Sequence, residues 1–324
     1  MNALVLLILF VVAVMFFFLA ALAWRSRSAI VRFLGVILAG LLGLAALAVV
    51  AVALLGFYRL NNTAYTYTDR NIPVTGSPEA LARGERLANI CTGCHSTRGE
   101  LPLDGSGEDF LAGPGAPPIG TLWATDLTPS GPLKDWSDAE VARAIREGVD
   151  NQGRPLIIMP SQAFHAMSDE DVMALVAYLR SQPPSGRSLP DRNLNALAAL
   201  FVGAGMFPTA AQEPITEPVT APPAGTPEYG GYLSQIGACR DCHGATLSGE
   251  PGFDGSSAPN LRVRTKDYTP EQFLTFFTTG ENPEGRVVAP EAMPWLEYRR
   301  AFTDEELVDL YNYLAGLPVA GDGQ

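Results

Sequence analysis

The hydrophobic pattern separates an apolar N-terminal part from a longer part in which apolar residues recur at helical spacing. Residues 3–24 and 33–58 form two runs of 22 and 26 residues without a charged side chain. A helix needs about 20 apolar residues to cross the hydrocarbon core of a bilayer. The pattern therefore predicts a membrane anchor of two transmembrane helices within residues 1–60. A cleaved signal peptide is less favoured, because no positive residue precedes the first run and the run is long.

The charges around these two runs predict their orientation. The connection between them carries Arg25, Arg27 and Arg32, and residues 1–60 contain no acidic residue. Positively charged loops stay on the cytoplasmic side of a membrane. We therefore expect two spans in the bacterial inner (cytoplasmic) membrane, with both termini and the rest of the chain on the periplasmic, or extracytoplasmic, side.

The chain after the anchor contains two copies of one helical unit. A helix is predicted from Pro78 up to the motif CTGCH at 91–95, and a second from Thr226 up to CRDCH at 239–243. The repetition of a helix that leads into the same motif is the signature of an internal repeat.

The middle and final helices of the two copies also correspond. DWSDAEVARAIREG at 135–148 matches DYTPEQFLTFFTTG at 267–280, and SDEDVMALVAYLRS at 168–181 matches TDEELVDLYNYLAG at 303–316. Both middle helices begin with Ser or Thr three residues before Glu or Gln, which is the capping-box pattern. We predict an all-α fold of helices and long loops.

A proline-rich linker at 183–226 separates the first repeat, at 61–182, from the second, at 227–324. The linker contains one apolar segment at 194–207, which is too short to span a bilayer. We expect this segment to pack on one of the repeated domains or to lie at the membrane surface. The remainder, from residue 208 onward, is expected to be extended and solvated.

The charge balance limits the partners. The net charge is -12, and since the anchor carries only arginines, the part after it is more acidic still. Such a surface would repel nucleic acid, and we expect no nucleic-acid binding. It suits a partner with a basic docking surface, although solubility alone would also explain it.

The chemistry of the chain is concentrated in its four cysteines, which all lie in Cys-x-x-Cys-His motifs. A structural zinc site needs four ligands, usually from two such knuckles about 15 to 20 residues apart, and these motifs are 145 residues apart between Cys94 and Cys239. A redox dithiol normally opens a helix in a βαβ unit, which the pattern lacks. It would also leave the following histidine unexplained.

Covalent haem accounts for both cysteines and the histidine, because Cys-x-x-Cys-His is the attachment signature of c-type haem. The sequence predicts two covalently bound haem c groups, with each adjacent histidine as the first axial ligand of iron. The predicted thioether residues are Cys91, Cys94, Cys239 and Cys242, and the predicted histidine ligands are His95 and His243.

The second axial ligand is predicted to be a methionine. Met159 and Met293 occupy the same position in the two repeats, and each is followed by proline. Proline disfavours a helical conformation for the preceding residue, so each methionine is expected on an extended segment facing the haem. A core methionine is the alternative, and His165 is the competing ligand in the first repeat.

Each repeat also has an arginine that follows a glycine between the middle helix and the methionine. Arg154 and Arg286 could each contact a haem propionate, since a guanidinium group suits a carboxylate. They could equally be solvated loop charges.

Each repeat resembles a class I cytochrome c domain, with a helix leading into CTGCH or CRDCH, a Met-Pro loop, and a final helix containing AYL or NYL. The stretch from Gly120 to Pro184 is similar to the cytochrome c subunit family of membrane-bound alcohol, gluconate and aldehyde dehydrogenases. The resemblance covers about 77–318 and implies the same cysteines, histidines and methionines as haem sites. Members of that family typically have three haem domains, which leaves the partner of a two-repeat chain open.

The resulting hypothesis is a membrane-anchored dihaem cytochrome that relays single electrons on the periplasmic side. Its expected partners are the membrane and other subunits of an electron-transfer complex: a dehydrogenase, a quinol-oxidising complex, a reaction centre or a terminal oxidase. We expect an electron-transfer protein rather than an enzyme, because no residue outside the haem sites forms a catalytic constellation. The alternative is a dihaem cytochrome c peroxidase, which would need one iron with an open sixth position.

Overall fold

The computed structural model describes residues 2–113, 115–249 and 258–319. The helices before the linker are α1 (Asn2–Trp24), α2 (Ala29–Asn61), α3 (Pro78–Ala88), α4 (Thr92–His95), α5 (Asp138–Glu147), α6 (Ser161–Phe164) and α7 (Asp169–Ser181). Those that follow are α8 (Ala196–Gly203), α9 (Pro227–Ile236), α10 (Cys239–His243), α11 (Leu261–Arg264), α12 (Pro270–Thr279), α13 (Trp295–Ala301) and α14 (Asp304–Gly316). The prediction of an all-α fold is confirmed.

Strand structure in the described residues is limited to one short antiparallel pair and isolated bridges. Strand β1 (Gly120–Thr121) pairs with β2 (Asn193–Leu194). The hydrophobic pattern did not predict this pair, because two residues are too few to show an alternation of apolar and polar positions.

The described residues form two compact units. The first consists of Met1–Ala64, Glu108–Trp123 and Pro190–Thr209, and the second of Tyr65–Gly107, Ala124–Leu189 and Ala210–Gln324. Most of both repeats, including both Cys-x-x-Cys-His motifs, therefore lies in the second unit. Both candidate haem sites therefore lie in the second unit.

In the first unit, α1 and α2 pack against each other, and both are long and apolar enough to cross a membrane. Helix α2 begins four residues before the uncharged run and extends beyond it, so it includes Arg32 and Arg59. The apolar segment at 194–207 forms α8, which packs on α2. At this crossing a Cβ on Gly56 would lie 1.6 Å from the carbonyl oxygen of Ala199, so only glycine allows the approach. The structure thus packs the segment on α2 and not on a repeated domain.

In the second unit, the first helix of each repeat crosses the last helix of the same repeat. Helix α3 packs on α7, and α9 packs on α14. A Cβ on Gly84 would lie 2.0 Å from the carbonyl oxygen of Ala174, and one on Gly230 would lie 2.0 Å from that of Asp309. The same close crossing therefore holds together both copies of the unit, immediately before each Cys-x-x-Cys-His motif.

The capping boxes predicted for the two middle helices are confirmed. Helices α5 and α12 begin with complete capping boxes, formed by Ser137 with Glu140 and by Thr269 with Gln272. Helix α14 also begins with a capping box, whereas α7 is capped by the hydroxyl of Ser168. These caps satisfy backbone N–H groups that the first turn of a helix leaves without partners.

The linker after residue 208 is extended and mostly exposed or half-buried, but its first part packs on the first repeat. Ala210 and Ile215 are buried. The amide of Gln212 donates to the carbonyl oxygen of Glu147, and the amide of Ile215 donates to its carboxylate at 2.7 Å. This part of the linker therefore lies along the first repeat, where it satisfies backbone and side-chain polar groups.

Candidate haem sites

Each Cys-x-x-Cys-His motif lies in a short helical turn directly after the first helix of its repeat. In the first repeat a 3₁₀ turn at Asn89–Cys91 continues into α4, and in the second repeat the motif forms α10. A helical turn brings residues i and i+3 onto one face, so the two cysteines of a motif can both reach one flat group.

The histidine of each motif donates from one ring nitrogen to a backbone carbonyl oxygen. Nδ1 of His95 lies 2.8 Å from the carbonyl oxygen of Thr125, and Nδ1 of His243 lies 2.9 Å from that of Pro259. A proton held on Nδ1 leaves the lone pair of Nε2 free to bind a metal. Both repeats therefore present a histidine in the tautomer that an axial iron ligand requires.

Burial favours the neutral form of both rings. It lowers the pKa of His95 and of His243, although the carbonyl partner of each ring acts in the opposite direction. Because only the neutral ring has a free lone pair, burial keeps both histidines in the form that binds iron.

Three of the four residues predicted to hold the first haem meet in one cavity, whereas the fourth, Cys94, is exposed. Cys91, His95 and Met159 all line it. The other lining residues are hydrophobic: Leu87, Ile90, Leu127, Ile145, Phe164, Met167, Leu175 and Leu179. An apolar chamber with one thiol, one imidazole and one thioether suits a flat apolar macrocycle whose iron takes a nitrogen and a sulfur ligand. The residues present therefore fit a haem c.

The second repeat offers the same set of groups. His243 is buried, and Cys239 and Met293 are partly buried against the hydrophobic core. The loop between His243 and the carbonyl of Pro259 includes residues outside the described part of the chain. The likeness between the two sites therefore rests on the motif, the histidine partner and the methionine.

No disulfide joins the four cysteines, and their environment does not suit redox chemistry. Burial raises the pKa of Cys91 to about 12 and that of Cys239 to about 11, whereas reactive dithiols have lowered pKa values. In the parts of the chain that the structure describes, no cluster of three His, Cys, Asp or Glu residues could hold a metal ion. The geometry thus gives no support to a zinc site.

The loop from the middle helix to the methionine has the same backbone course in both repeats. Gly148 caps the C-terminus of α5 with a φ of 68°, and Gly280 caps that of α12 with a φ of 72°. A bridge between Val149 and Pro155 follows in the first repeat, and one between Glu281 and Val287 follows in the second. The two loops reach the methionine by equivalent turns.

The Met-Pro steps also match. Pro160 has φ and ψ of -80° and 49°, and Pro294 has -78° and 53°. Each proline precedes a short helix, α6 or α13. Ile158, directly before Met159, has a φ of 67°, a strained value for a β-branched residue. Such strain is concentrated at ligand-binding positions.

The remaining predicted residues have protein partners. Nε of Arg154 donates to Asp150 at 2.7 Å, and the backbone amide of Arg286 donates to Asn282 at 2.9 Å. Nε2 of His165 lies 2.9 Å from the carbonyl oxygen of Glu213. A propionate contact for either arginine stays a prediction. Nε2 of His165, the competing ligand, bonds to the backbone of the linker.

Sequence reasoning did not find the carbonyl partners of the two histidines. A backbone carbonyl has no residue signature, and Thr125 and Pro259 lie 30 and 16 residues after their histidines. The two repeats differ in this spacing, so even the internal repetition could not indicate these partners.

Each of the two repeats matches a known family model. Residues 81–183 match the family model described as Cytochrome c, and residues 226–314 match the one described as Cytochrome C oxidase, cbb3-type, subunit III. The chain is therefore similar to c-type cytochromes in both repeats.

Three curated relatives are similar to most of this chain. The gluconate 2-dehydrogenase cytochrome c subunit of Pantoea cypripedii is 31% identical over 243 residues, which cover 62% of this chain and 51% of that protein. The fructose dehydrogenase cytochrome subunit of Gluconobacter japonicus is 23% identical over 276 residues, covering 77% and 55%. A nicotinate dehydrogenase subunit of Pseudomonas putida is 29% identical over 278 residues, covering 76% and 22%. The chain thus spans about half, or less, of the length of these relatives.

Proposed function

We propose that this chain, which contains two cytochrome c domains, is a membrane-anchored dihaem cytochrome that relays single electrons on the periplasmic side of a bacterial inner membrane. The observation that carries the proposal is the apolar cavity lined by Cys91, His95 and Met159. It combines an attachment thiol and two axial ligands of the kind that cytochromes c use.

In the first domain, Cys91 and Cys94 would hold the haem covalently, and His95 and Met159 would bind its iron. The bound haem supplies a one-electron couple between ferric and ferrous iron. As a ligand, the thioether of Met159 would favour the ferrous state and so raise the potential. The apolar lining excludes water and disfavours the more highly charged ferric state.

In the second domain, Cys239 and Cys242 would hold a second haem, with His243 and Met293 as axial ligands. The carbonyl oxygen of Pro259 orients the imidazole of His243 as that of Thr125 orients His95. The equivalent backbone at Pro160 and Pro294 supports equivalent roles for the two methionines.

Anchoring on the periplasmic side is supported by the charges around the two apolar helices. Helices α1 and α2 are long enough to span a bilayer, and the arginine-rich connection between them belongs on the cytoplasmic side. The chain after α2 would then lie in the periplasm.

The partner is proposed to be a dehydrogenase subunit. Proteins similar to this chain include a gluconate 2-dehydrogenase cytochrome c subunit, a fructose dehydrogenase cytochrome subunit and a nicotinate dehydrogenase subunit. In such an assembly this chain would accept electrons from the catalytic subunit and pass them towards the membrane. None of these relatives is named a peroxidase, so the peroxidase alternative gains no support.

Isolation of the full chain from native membranes in mild detergent tests this proposal. We expect two covalently bound haems per chain and a stoichiometric dehydrogenase among the proteins that co-purify. A preparation with two haems but no partner would contradict the role as a subunit, and one with fewer than two haems would contradict the dihaem assignment itself.

A further inference from the structure

A polar cluster joins the two cytochrome c domains inside the second compact unit. We name it the Arg83 cluster. Its members are Arg83, Asp171, Tyr229, Tyr232 and Glu306. The first two belong to the first domain, on α3 and α7, and the last three belong to the second, on α9 and α14.

Arg83 binds a carboxylate from each domain. Its Nε and Nη2 donate to the two oxygens of Asp171 at 2.8 and 2.9 Å, in a bidentate pair within the first domain. Its Nη1 donates to Oε1 of Glu306 in the second domain at 2.5 Å. The planar guanidinium group fixes the directions of these bonds, so the orientation of one domain determines where the carboxylate of the other must lie.

The two tyrosines complete the connection. The hydroxyl of Tyr232 donates to Oδ2 of Asp171 at 2.7 Å, and accepts a hydrogen bond from the amide of Ser168 at 3.0 Å. The hydroxyl of Tyr229 donates to Oε1 of Glu306 at 2.9 Å and accepts one from Nη2 of Arg83 at 3.2 Å. Each carboxylate is thus bound by groups from both domains.

The cluster is largely shielded from solvent. The side chains of Arg83, Asp171 and Glu306 are 13%, 9% and 11% exposed. Burial acts to lower the pKa of Arg83, but the bonds to Asp171 and the charge of Glu306 outweigh it, and the pKa lies above its usual value. In some proteins a buried, hydrogen-bonded charge network fixes a unique arrangement while adding little net stability.

The helices that follow the two Met-Pro steps contact the haem motifs of the opposite domains. Nε2 of Gln162, on α6 of the first domain, donates to Asp241 in the second motif at 3.0 Å. In the reverse direction, a Cβ on Gly93 of the first motif would lie 3.4 Å from Oε1 of Glu297, on α13 of the second domain. Both haem motifs therefore lie at the surface that the Arg83 cluster joins.

We propose that the Arg83 cluster is a positioning device that holds the two haem-binding motifs at one fixed separation and orientation. The hydrogen bonds described for the cluster do not reach a predicted haem ligand, so the cluster acts through the α3–α7 and α9–α14 helix pairs. This inference rests on the proposed function, because it concerns two haems in one chain. It adds that the pair behaves as one rigid body instead of two domains that swing on the linker.

The separation of the two ferric irons, measured by pulsed electron paramagnetic resonance on the oxidised full chain in detergent, tests this proposal. Haem content is measured first on the same sample. In the native protein we expect a single narrow distribution of iron–iron distances. A broad distribution in a sample with two haems per chain would overturn the inference and leave the proposed function intact.

Two variants remove the connection, and each has a matched control. Tyr232→Phe removes a hydroxyl that bonds between the domains, whereas Tyr311→Phe removes one whose bond to the carbonyl oxygen of Tyr268 stays within the second domain. Arg83→Met removes the guanidinium group that reaches both domains, whereas Arg180→Met removes one that binds Asp138 within the first domain.

We expect Tyr232→Phe to broaden the distance distribution and Arg83→Met to cause loss of the narrow peak, while both control variants keep the native distribution. If both test variants retain two haems and the native distribution, the cluster does not set the separation and the inference fails. If the native sample contains fewer than two haems, the proposed function fails first. If Arg83→Met does not fold, the result for Tyr232→Phe alone decides the test.

Discussion

Met159 and Met293 are the residues whose side-chain chemistry most directly determines the properties of the proposed haem sites. Replacement of a methionine ligand by histidine lowers the potential of a haem, because the thioether stabilises ferrous iron. We expect Met159→His and Met293→His each to lower one of two redox transitions, by a fraction of the roughly 0.8 V that axial ligands span. Potentiometric titration of the full chain measures this.

The control for these two variants is Met173→Leu, since Met173 is buried in the core of α7 and does not line the cavity. It should leave both transitions unchanged. If Met173→Leu lowered a transition as much as Met159→His did, the assignment of Met159 as a ligand would be wrong.

Glu147 gives a prediction about pH. Burial raises the pKa of its carboxyl group, although the amide of Ile215 and the charge of Arg146 oppose this. The folded state therefore binds the proton more tightly than the unfolded state, whose pKa is near 4.5. Protonation favours folding, so the stabilising contribution is complete below 4.5 and is lost as the pH rises through the raised pKa.

Thermal unfolding of the native chain and of Glu147→Gln, compared at several pH values, measures this contribution. We expect the native chain to gain stability relative to the variant as the pH falls from neutral to below 4.5. Exposed Glu85, changed to Gln, is the control and should not reproduce the trend. An equal pH dependence for native and Glu147→Gln would contradict the prediction.

Among the elements, the crossing of the first and last helices of each domain tolerates the least change. A Cβ on Gly84 or Gly230 would lie 2.0 Å from a backbone carbonyl oxygen of the partner helix. Forcing extra volume into packed elements costs about 1 to 3 kcal/mol, and sometimes more. We expect Gly84→Ala and Gly230→Ala each to lower the free energy of unfolding by at least that amount, as measured by denaturant titration.

Gly316, at the end of α14, provides the comparison, because nothing lies within 4 Å of a Cβ there. Gly316→Ala should be neutral or stabilise the protein by up to about 1 kcal/mol through helix propensity. An equal loss of stability in all three variants would contradict the close crossing as the cause, because Gly316 has no such contact.

The elements also show which parts of the fold were accessible from the sequence. Helix starts were predicted correctly where a side chain supplies the cap, as with Ser137 and Thr269. The start of α2 at Ala29 was not predicted. The apolar run indicates only the part of the helix that suits lipid, and the helical hydrogen bonds also include Arg32, before that run. The packing of Ile215 was missed because its amide bonds to Glu147, and a proline-rich composition alone indicates a solvated chain.

The same contrast holds for the sites. The prediction of cysteines and histidines as haem sites rests on five-residue patterns, whereas Arg83 and Tyr232 look like ordinary polar positions on amphipathic helices. Their roles depend on which surfaces meet in three dimensions, and residues 146 positions apart, such as Arg83 and Tyr229, carry no shared signature.

For the whole molecule, the main prediction concerns its orientation in the membrane. If the positively charged connection is cytoplasmic, a cysteine introduced by Ser26→Cys should be protected from a membrane-impermeant maleimide in intact spheroplasts. One introduced by Ala64→Cys, just after α2, should react. Both should react after lysis, so each variant serves as the control for the other.

The reverse labelling pattern would place the haem domains in the cytoplasm and contradict the proposed topology. The native cysteines are not expected to interfere, since they would be bonded to haem. A chain with residual free thiols would be recognised by labelling of the native protein itself.

The course of the linker indicates where the first domain ends. His165 and Asp169 of this domain bond to the backbone of Glu213 and Val219, whereas Gly225 already bonds to Asp309 of the second domain. A chain cut after residue 182 would therefore lack the linker segment that bonds to the first domain, and one cut near residue 222 would keep that segment. In a chain made from its N-terminus, these two bonds of the first domain can form only once about forty residues beyond its last helix have emerged. The linker is thus the last structural part of the domain that it follows in the sequence.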